Sequence, residues 1–307
     1  MVHQTESRSR IPGGEFVDPQ VLARIGNLEL VARTVVEGFI TGLHKSPFLG
    51  FSVDFAEHRQ YVAGDDIRRI DWRVWGRTDR YYVKEYEADT NTDFVVLFDV
   101  SSSMDYGTKG LSKFDYGRFL AASLTYFSHK QRDRVGLVTF DDDIVDYVPP
   151  SAKHMQIVLH RLDAARAGAK GSLTKPMAKV AELLGRRGIV VIVSDFYEEV
   201  DTVVRALSQL QFRGNDVVAF HLLDPAERAL KHRKSVYFQD MESGEEMPVV
   251  PEKVREAYEE RVGAHVEELG RRLRALQMDY TMLDTTTPLD FALFEYLSER
   301  QRFSRVR

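Results

Sequence analysis

The stretch FVVLFDVSSSM, from Phe94 to Met104, decides the fold that this sequence predicts. Its leading Phe, Val and Leu residues predict a buried β-strand, because such residues fill the two covered faces of a central strand. The strand carries Asp99, Ser101 and Ser103 onto one loop, and alternate positions place a carboxylate and two hydroxyl groups on the same side of it. Oxygen ligands with few charges suit Mg²⁺ or Mn²⁺, which also accept an oxygen from outside. A polar loop that caps the next helix is the alternative interpretation of this pattern taken alone.

A second apolar strand also ends on a carboxylate. The stretch GIVVIVSDF, residues 188–196, ends at Asp195 and Phe196. In an open parallel sheet the ligand crevice lies beyond the carboxyl ends of the strands, so Asp99 and Asp195 are expected to converge there. Between the two strands, Thr174 precedes a helix with an early proline, Pro176. Thr174 is either the N-cap of that helix or a further oxygen ligand, and the two carboxylates favour the second interpretation.

The chain after residue 93 alternates between strand and helix patterns, which predicts a doubly wound, mostly parallel α/β sheet. The predicted helices lie at about Lys113–Lys130, Met155–Leu162, Lys175–Leu184 and Thr202–Leu210, and the predicted strands at Phe94–Phe98, Arg134–Phe140, Ile144–Val148, Gly188–Ser194 and Asp216–Leu222. A hairpin insertion is expected at residues 235–250, followed by a long helix from Pro251, a strand at residues 279–284 and a last helix from Pro288 to about Arg300. The stripe of the long helix that we expect to be buried comprises Val254, Tyr258, Val262, Val266, Leu269, Leu273 and Leu276.

The residues before the sheet predict an appendage whose amphipathic helix packs on the α/β core. Asp18 and Pro19 are typical of a helix start, and apolar residues then recur at helical spacing from Val21 until Gly42. A strand near residues 80–86 is expected to lead into the central strand. The predicted division is a disordered tail at residues 1–17, the appendage at 18–92 and the α/β domain at 93–303.

Composition excludes several classes of site. The chain has 307 residues, 43% of them hydrophobic, so it can bury a large core. It contains no cysteine, which rules out disulfides, thiolate zinc sites and cysteine nucleophiles. The net charge of −5 gives no overall attraction to nucleic acid. We expect no membrane span and, because no signal peptide is visible, a cytoplasmic protein.

The loop, the later Thr and the later Asp together resemble the metal-ion-dependent adhesion site of von Willebrand factor A domains. A longer segment, EHRQYVAGDDIRRIDWRVWGRTDRYYVKEYEADTNTDFVVLFDVSSSM at residues 57–104, resembles the one that defines the domain-of-unknown-function family 58. That family comprises bacterial and archaeal proteins built on a Rossmann-like von Willebrand factor A domain and often encoded beside MoxR-type AAA+ ATPases. The resemblance extends from about Phe48 to the C-terminus.

The resemblance implies a binding module and not an enzyme, with a MoxR-type ATPase or its client as partner. It implies Mg²⁺ (or Mn²⁺) as cofactor, held by Asp99, Ser101, Ser103, Thr174 and Asp195. Where such sites usually carry Gly-Gly-Thr, this chain has Gly171, Ser172, Leu173 and Thr174, so Ser172 is an alternative ligand. No nucleophile elbow or phosphate-binding loop is visible, and metal-assisted hydrolysis is the alternative function.

A dense run of charge precedes the central strand. The segment AGDDIRRIDWRVWGRTDR, residues 63–80, interleaves acidic and basic residues around two tryptophans. Such density is costly unless the charges pair, so we expect a structural or partner-docking network of Asp65, Asp66, Arg68, Arg69, Asp71, Trp72, Arg73 and Arg77. A nucleic-acid surface would also use Arg and Trp, but the interleaved aspartates would largely cancel its positive field.

Overall fold

The fold is built around one central sheet. The computed structural model describes residues 18–45, 58–61, 75–76, 80–84, 92–108, 110–168, 170–185, 187–230, 236–239, 241 and 246–305. Its strands are β1 (His58–Gln60), β2 (Tyr82–Lys84), β3 (Asp93–Asp99), β4 (Arg134–Phe140), β5 (Ile144–Ser151), β6 (Gly188–Ser194), β7 (Asp216–Leu223), β8 (Val236–Gln239), β9 (Glu246–Val249) and β10 (Asp279–Asp284). Its helices are α1 (Pro19–Leu22), α2 (Leu28–Lys45), α3 (Lys113–Lys130), α4 (Met155–Ala164), α5 (Thr174–Leu183), α6 (Val200–Phe212), α7 (Pro225–Arg228), α8 (Pro251–Ala275) and α9 (Leu289–Arg305).

Across the described residues, the central sheet has six strands in the order β10-β7-β6-β3-β4-β5. All neighbours are parallel except β4 and β5, which are antiparallel. The chain therefore winds outward from β3 in one direction and then from β6 in the other, which is the doubly wound order. The doubly wound, mostly parallel fold predicted from the sequence is confirmed.

The sheet separates two apolar layers because successive side chains of a strand point to opposite faces. Phe94, Val96 and Phe98 of β3 pack with α2, α3, α4 and α9 on one face. Val95 and Leu97 pack with α5, α6 and α8 on the other. Every residue of β3 is buried, as its continuous apolar run predicts. This double cover holds the loop after β3 in place.

Helix α3 approaches the sheet closely at Gly117. A Cβ atom at this position would lie 2.8 Å from Cε2 of Phe98 and 3.1 Å from Cδ1 of Leu222. Only glycine leaves room for that approach, which brings the N-terminal turn of α3 over the carboxyl ends of the strands.

The predicted N-terminal helix is wrong in its continuity. The Asp18 carboxylate accepts a hydrogen bond from the Gln20 backbone N–H, as an N-cap does, but α1 ends at Leu22. The Asn27 carboxamide then accepts the backbone N–H of Leu30 at 2.9 Å and starts α2, which continues past Gly42 to Lys45. An internal cap thus divides one apolar pattern into two helices.

The strand expected near residues 80–86 is confirmed by β2, which pairs antiparallel with β1 in a separate small sheet. One further expectation is corrected. In the predicted stripe of α8, Leu269 and Leu273 are buried, whereas Val254 is exposed, and so is Leu276, which directly follows the helix. Of the predicted stripe, only Leu269 and Leu273 reach the apolar layer beside α6 and β10, and the N-terminal part of the helix is only partly buried.

All eight residues of the predicted charged network lie outside the described residues, namely Asp65, Asp66, Arg68, Arg69, Asp71, Trp72, Arg73 and Arg77. Within the described part, Trp75 stacks on Tyr81 with ring centroids 6.0 Å apart, and both rings are partly exposed. The network therefore stays a prediction. Among the helices described, none is long and apolar enough to cross a bilayer.

Candidate metal centre

The candidate site lies where the strand order reverses. Strands β3 and β6 are neighbours, and the chain leaves them in opposite directions. In doubly wound sheets this reversal opens a crevice at the carboxyl ends of the two strands. Asp99 is the last residue of β3, and Asp195 directly follows β6. The structure therefore brings the two predicted carboxylates to one crevice.

The Asp99 carboxylate is buried and hydrogen-bonded. Its Oδ1 accepts the backbone N–H of Ser101 at 2.9 Å, and its Oδ2 accepts the Ser194 hydroxyl at 2.6 Å. Burial and the nearby charge of Asp195 raise the pKa of Asp99 to about 7, against the opposite effect of hydrogen bonds from Ser101 and Ser194. These two donors do not compensate the carboxylate fully, so a cation would find uncompensated negative charge here.

The two loop hydroxyls have a spacing that fits a metal ion. Oγ of Ser101 and Oγ of Ser103 are 3.1 Å apart. Adjacent ligands of an octahedral Mg²⁺ with bonds of 2.0–2.1 Å lie about 2.9 Å apart, so the two hydroxyls match neighbouring ligand positions. A 3₁₀ turn at Ser102–Asp105 follows, and its residue Met104 is fully buried. The loop is thus anchored from the core side.

Asp195 already has a cationic partner. Nζ of Lys113 donates to Oδ2 of Asp195 at 2.8 Å and to Oε1 of Glu227 at 2.7 Å. Lys113 is fully buried. Burial alone lowers its pKa, but the charges of Asp195 and Glu227 outweigh that effect and raise it. A direct bond from Asp195 to a metal would therefore use Oδ1, and a bond through water is the simpler arrangement.

Sequence reasoning missed Lys113, Ser194 and Glu227. Lys113 opens α3, and a cation in the first turn of a helix opposes the helix dipole. That conflict is the signal that could have found it. Glu227 lies in α7, where its side chain accepts the backbone N–H of Asp224 in a capping box. The capping pattern explains Glu227 fully, so nothing local points to its contact with Lys113.

The segment before α5, which contains the candidate ligands Ser172 and Thr174, lies beside the crevice. Its contacts do not select one of the two as the residue that binds the metal. Leu173 occupies the N-cap position of α5 and Thr174 is its first helical residue, so the N-cap interpretation of Thr174 is wrong. The Leu173 backbone N–H donates to Oε1 of Glu198 at 2.6 Å. The Ser172 backbone N–H donates to the Asp141 carbonyl. The choice between Thr174 and Ser172 as ligand stays a prediction.

The donor set suits a hard cation that keeps its waters. The described residues contain no group of three His, Cys, Asp or Glu side chains arranged to hold a metal. The candidate set instead combines the Asp99 carboxylate with the hydroxyls of Ser101 and Ser103. Such a set fits Mg²⁺, which binds proteins through one or two carboxylates and retains several waters. The residues present therefore fit the predicted ion.

The chain is a doubly wound α/β protein with oxygen-bearing side chains at the switch point of its sheet. It belongs to the family described as "Protein of unknown function DUF58", which matches residues 57–268. An uncharacterised protein of Mycobacterium bovis is 28% identical over 296 residues, covering 94% of this chain and 92% of its own. An uncharacterised protein of Mycobacterium tuberculosis strain H37Rv has the same identity and coverage.

Solved structures with similar folds include BatB from Bacteroides thetaiotaomicron. That structure is 14% identical, has a TM-score of 0.46, and covers 68% of this chain and 99% of its own. The SpRpn10 VWA domain is 9% identical, with a TM-score of 0.40 and coverages of 66% and 93%. Because both scores are low, the fold assignment rests on the strand order of this chain.

Proposed function

We propose that this protein is a metal-dependent protein-binding module, in which Mg²⁺ or Mn²⁺ bound at the loop after β3 offers an open coordination position to an acidic side chain of a partner. The observation that carries the proposal is the pair of Ser101 and Ser103 hydroxyls, 3.1 Å apart, beside a buried Asp99. Mg²⁺ prefers oxygen ligands and accepts one from another molecule, so a carboxylate of the partner completes the coordination of the ion and no reaction takes place.

The residues have distinct roles in this proposal. Ser101 and Ser103 bind the ion directly, and Asp99 supplies the main negative charge directly or through water. Asp195 orients a metal-bound water while Lys113 balances its charge. Thr174 or Ser172 completes the protein side. The ion supplies positive charge and a coordination geometry for binding an anionic group, and the residues of the chain hold the ion in place.

The family resemblance supports a MoxR-type AAA+ ATPase, or a client that it remodels, as the partner. The chemistry of the site requires that the partner present an exposed Asp or Glu. The ammonium of Lys113 is held positive beside Asp195, so it does not act as a general base for hydrolysis. Lys113 is therefore excluded as the general base that the alternative function, metal-assisted hydrolysis, would require.

Thermal unfolding with Mg²⁺ tests the ion site. An ion that binds only the folded state stabilises it by about 1.4 kcal/mol at ten times its Kd, which raises the melting temperature by a few degrees. We expect this rise in the wild type, and no rise in the Ser101→Ala/Ser103→Ala double variant. Ser102→Ala is the matched control, because it removes a hydroxyl from the same turn at the position that the pattern does not assign. Equal rises in the wild type and the double variant would contradict the ligand assignment.

Titration calorimetry with a MoxR-type ATPase tests the binding function. The complex is expected to form in Mg²⁺, to dissociate in EDTA and to fail with Asp195→Ala. Partner variants with candidate surface acids changed to amides identify the completing carboxylate. Binding that persists in EDTA would rule out the metal-mediated interface. Hydrolysis of nucleotides or esters that is lost in Asp99→Asn would instead support the metal-assisted hydrolase.

A further inference from the structure

Three helices end in an exposed apolar residue at one edge of the central sheet. Helix α5 ends at Leu183 and α6 ends at Phe212, and Leu276 directly follows α8. Each of these helices is followed, after a short connection, by a parallel strand, which is β6, β7 or β10. The three residues therefore lie at the edge where the strands begin. The candidate metal centre lies at the opposite edge, about 20 Å away along β3.

The three apolar side chains are open to solvent. Phe212 is 88% exposed, Leu183 is 45% exposed and Leu276 is 38% exposed. The ends of α6 and α8 are in contact, because the Gln211 carboxamide donates a hydrogen bond to the Leu276 carbonyl. Single exposed apolar residues are common on proteins, but three helix ends with the same character at one edge form a surface. The Phe212 ring projects from this surface and does not line a groove.

The exposed charges beside these helix ends are mostly basic. Arg187 and Arg213 are exposed, and neither forms an ion pair with another residue that the structure describes. A Cβ atom at Gly214 would lie 2.7 Å from Nε of Arg187, so the Arg187 side chain reaches the segment that contains Arg213. Arg274 is exposed in the last turn of α8, and Glu182 is an exposed acid on α5. A chain of net charge −5 thus has a local positive surface at this edge.

We propose that this edge is a peripheral docking surface for an anionic lipid bilayer, with Phe212 inserted at the level of the headgroups and with Arg187 and Arg213 in contact with the lipid phosphates. Aromatic rings are favoured at the membrane–water interface, and cationic side chains are attracted to anionic lipids. Asp216 and Asp279 also lie at this edge, but they are only partly exposed, so they offset only part of the positive charge.

The shape of the surface favours a bilayer over a protein as the occupant. The three helix ends lie at a similar level of the sheet, so one flat surface can contact all of them. A lipid interface gives way around a projecting ring, whereas a protein would need a pocket that matches Phe212. A bilayer at this edge would leave the crevice at Asp99 facing the solution. The proposal concerns a surface separate from the ion, and it does not depend on metal binding.

Cosedimentation with sucrose-loaded vesicles tests the proposal. The full chain is mixed, in EDTA, with vesicles of phosphatidylcholine and phosphatidylglycerol, or with vesicles of phosphatidylcholine alone. We expect the chain to sediment with the anionic vesicles and not with the neutral ones. Added salt should release it, because salt screens the attraction between the arginines and the phosphates. No binding to the anionic vesicles, or equal binding to both kinds, would overturn the proposal.

A change of Phe212 tests the insertion of the ring. Phe212→Ser is expected to lower the affinity for anionic vesicles about tenfold, because the apolar area that the bilayer would bury is lost. Tyr237→Ser is the matched control, since Tyr237 is 75% exposed on the hairpin of β8 and β9, and it should bind like the wild type. If Phe212→Ser also binds like the wild type, the ring does not insert and the proposal fails.

A double variant tests the contribution of the two arginines. Arg187→Gln/Arg213→Gln is expected to lower the affinity about 25-fold, because each cation near an anionic surface contributes a factor of about five. Arg205→Gln/Lys253→Gln removes the same charge from exposed positions elsewhere on α6 and α8, and its affinity should change much less. Equal losses in the two double variants would show that net charge, and not this edge, determines the binding, which would contradict the proposal.

Tryptophan fluorescence reports the depth of insertion. Phe212→Trp and Tyr237→Trp each add one tryptophan to the two that the chain contains. Vesicles with brominated lipid chains are expected to quench the emission of Phe212→Trp more strongly than that of Tyr237→Trp. Equal quenching would show that residue 212 remains in water. Thermal unfolding of every variant without vesicles confirms that a loss of binding does not come from a loss of the fold.

Discussion

At the scale of single residues, Lys113 sets the electrostatics of the crevice. Its ammonium binds Asp195 and Glu227 from a fully buried position. It neutralises one carboxylate of the pair formed by Asp99 and Asp195, which leaves Asp99 as the group whose charge an ion would balance. Burial raises the pKa of Glu227, and this effect outweighs the lowering by Lys113. The single ammonium is shared between Glu227 and Asp195.

We predict that Lys113→Met destabilises the fold by about 3–5 kcal/mol, because it leaves two buried acids without their cation. Denaturant unfolding measures the change. Lys179→Met is the control, since Lys179 contacts Asp143 at the surface, and its effect should be small. Mg²⁺ should stabilise Lys113→Met more than it stabilises the wild type, because the ion replaces the lost charge. A variant that unfolds like the wild type would contradict the buried pairing.

His221 predicts a pH dependence of stability. Burial lowers the pKa of His221 from 6.5 to about 3. Between these values the unfolded chain binds a proton that the folded chain does not, so stability falls as the pH falls from 6.5 towards 3. The loss between pH 7 and pH 5 is about 2 kcal/mol.

Chemical unfolding at both pH values isolates this contribution when chains with and without His221→Phe are compared. The raised pKa of Asp99 has the opposite effect on stability, because the folded chain then holds a proton on Asp99 between pH 4 and 7. Both proteins in the comparison therefore carry Asp99→Asn. Parallel pH profiles with and without His221 would show that the imidazole is not buried in its neutral form.

At the scale of elements, the position of α3 depends on Gly117. Its closest neighbours are side-chain atoms of Phe98 and Leu222 on the sheet. Any larger residue would push the N-terminal turn of α3, and Lys113 with it, away from the crevice. Packing in the core and charge in the site are thus coupled through one helix.

Gly117→Ala is predicted to destabilise the protein by about 1–3 kcal/mol, because the added methyl group overpacks the sheet. Gly38→Ala in α2 is the matched control. Nothing lies within 4 Å of the added Cβ there, so its helix propensity should stabilise the protein by about 0.5–1 kcal/mol. Melting curves of the two variants should move in opposite directions. A shared direction would contradict the close packing at Gly117.

The sequence predicts some elements well and others poorly for identifiable reasons. Strand β3 and helix α3 carry strong apolar periods, and the structure confirms them to within one residue. The N-terminal helix fails at Asn27, because a single side chain outweighs a continuing apolar pattern. In the candidate site, the loop after β3 is one short stretch of sequence, so its pattern of ligands could be recognised. Lys113 contacts Asp195, which is 82 positions away in the chain, and Glu227, which is 114 positions away. Such distant pairs leave no pattern in the local sequence.

At the scale of the whole molecule, α2 is part of the core. Val31, Val35 and Phe39 are buried against α3 and α9 in the same layer as β3. The ring of Phe39 meets that of Phe127 edge-on with centroids 6.2 Å apart. The sheet domain therefore relies on residues that precede residue 92 for cover on one face.

Removal of residues 1–45 is predicted to lower the melting temperature and to increase binding of a hydrophobic dye, because it exposes the face that α2 covers. Removal of residues 1–17 is the control and should leave both readings unchanged. Differential scanning calorimetry and dye fluorescence give the two measurements. If the longer truncation behaves like the shorter one, α2 contributes nothing to the stability of the sheet.

The antiparallel strand β5 also limits how copies of this molecule can meet. It has β4 as its neighbour on one side and ends the described sheet on the other. It contains Pro149 and Pro150, which lack backbone N–H groups, and its register shifts between the pairs at Val135 and Leu137. Proline and irregular pairing at an outer strand disfavour the addition of another strand. This edge is thereby protected against the strand-to-strand aggregation to which exposed sheet edges are prone.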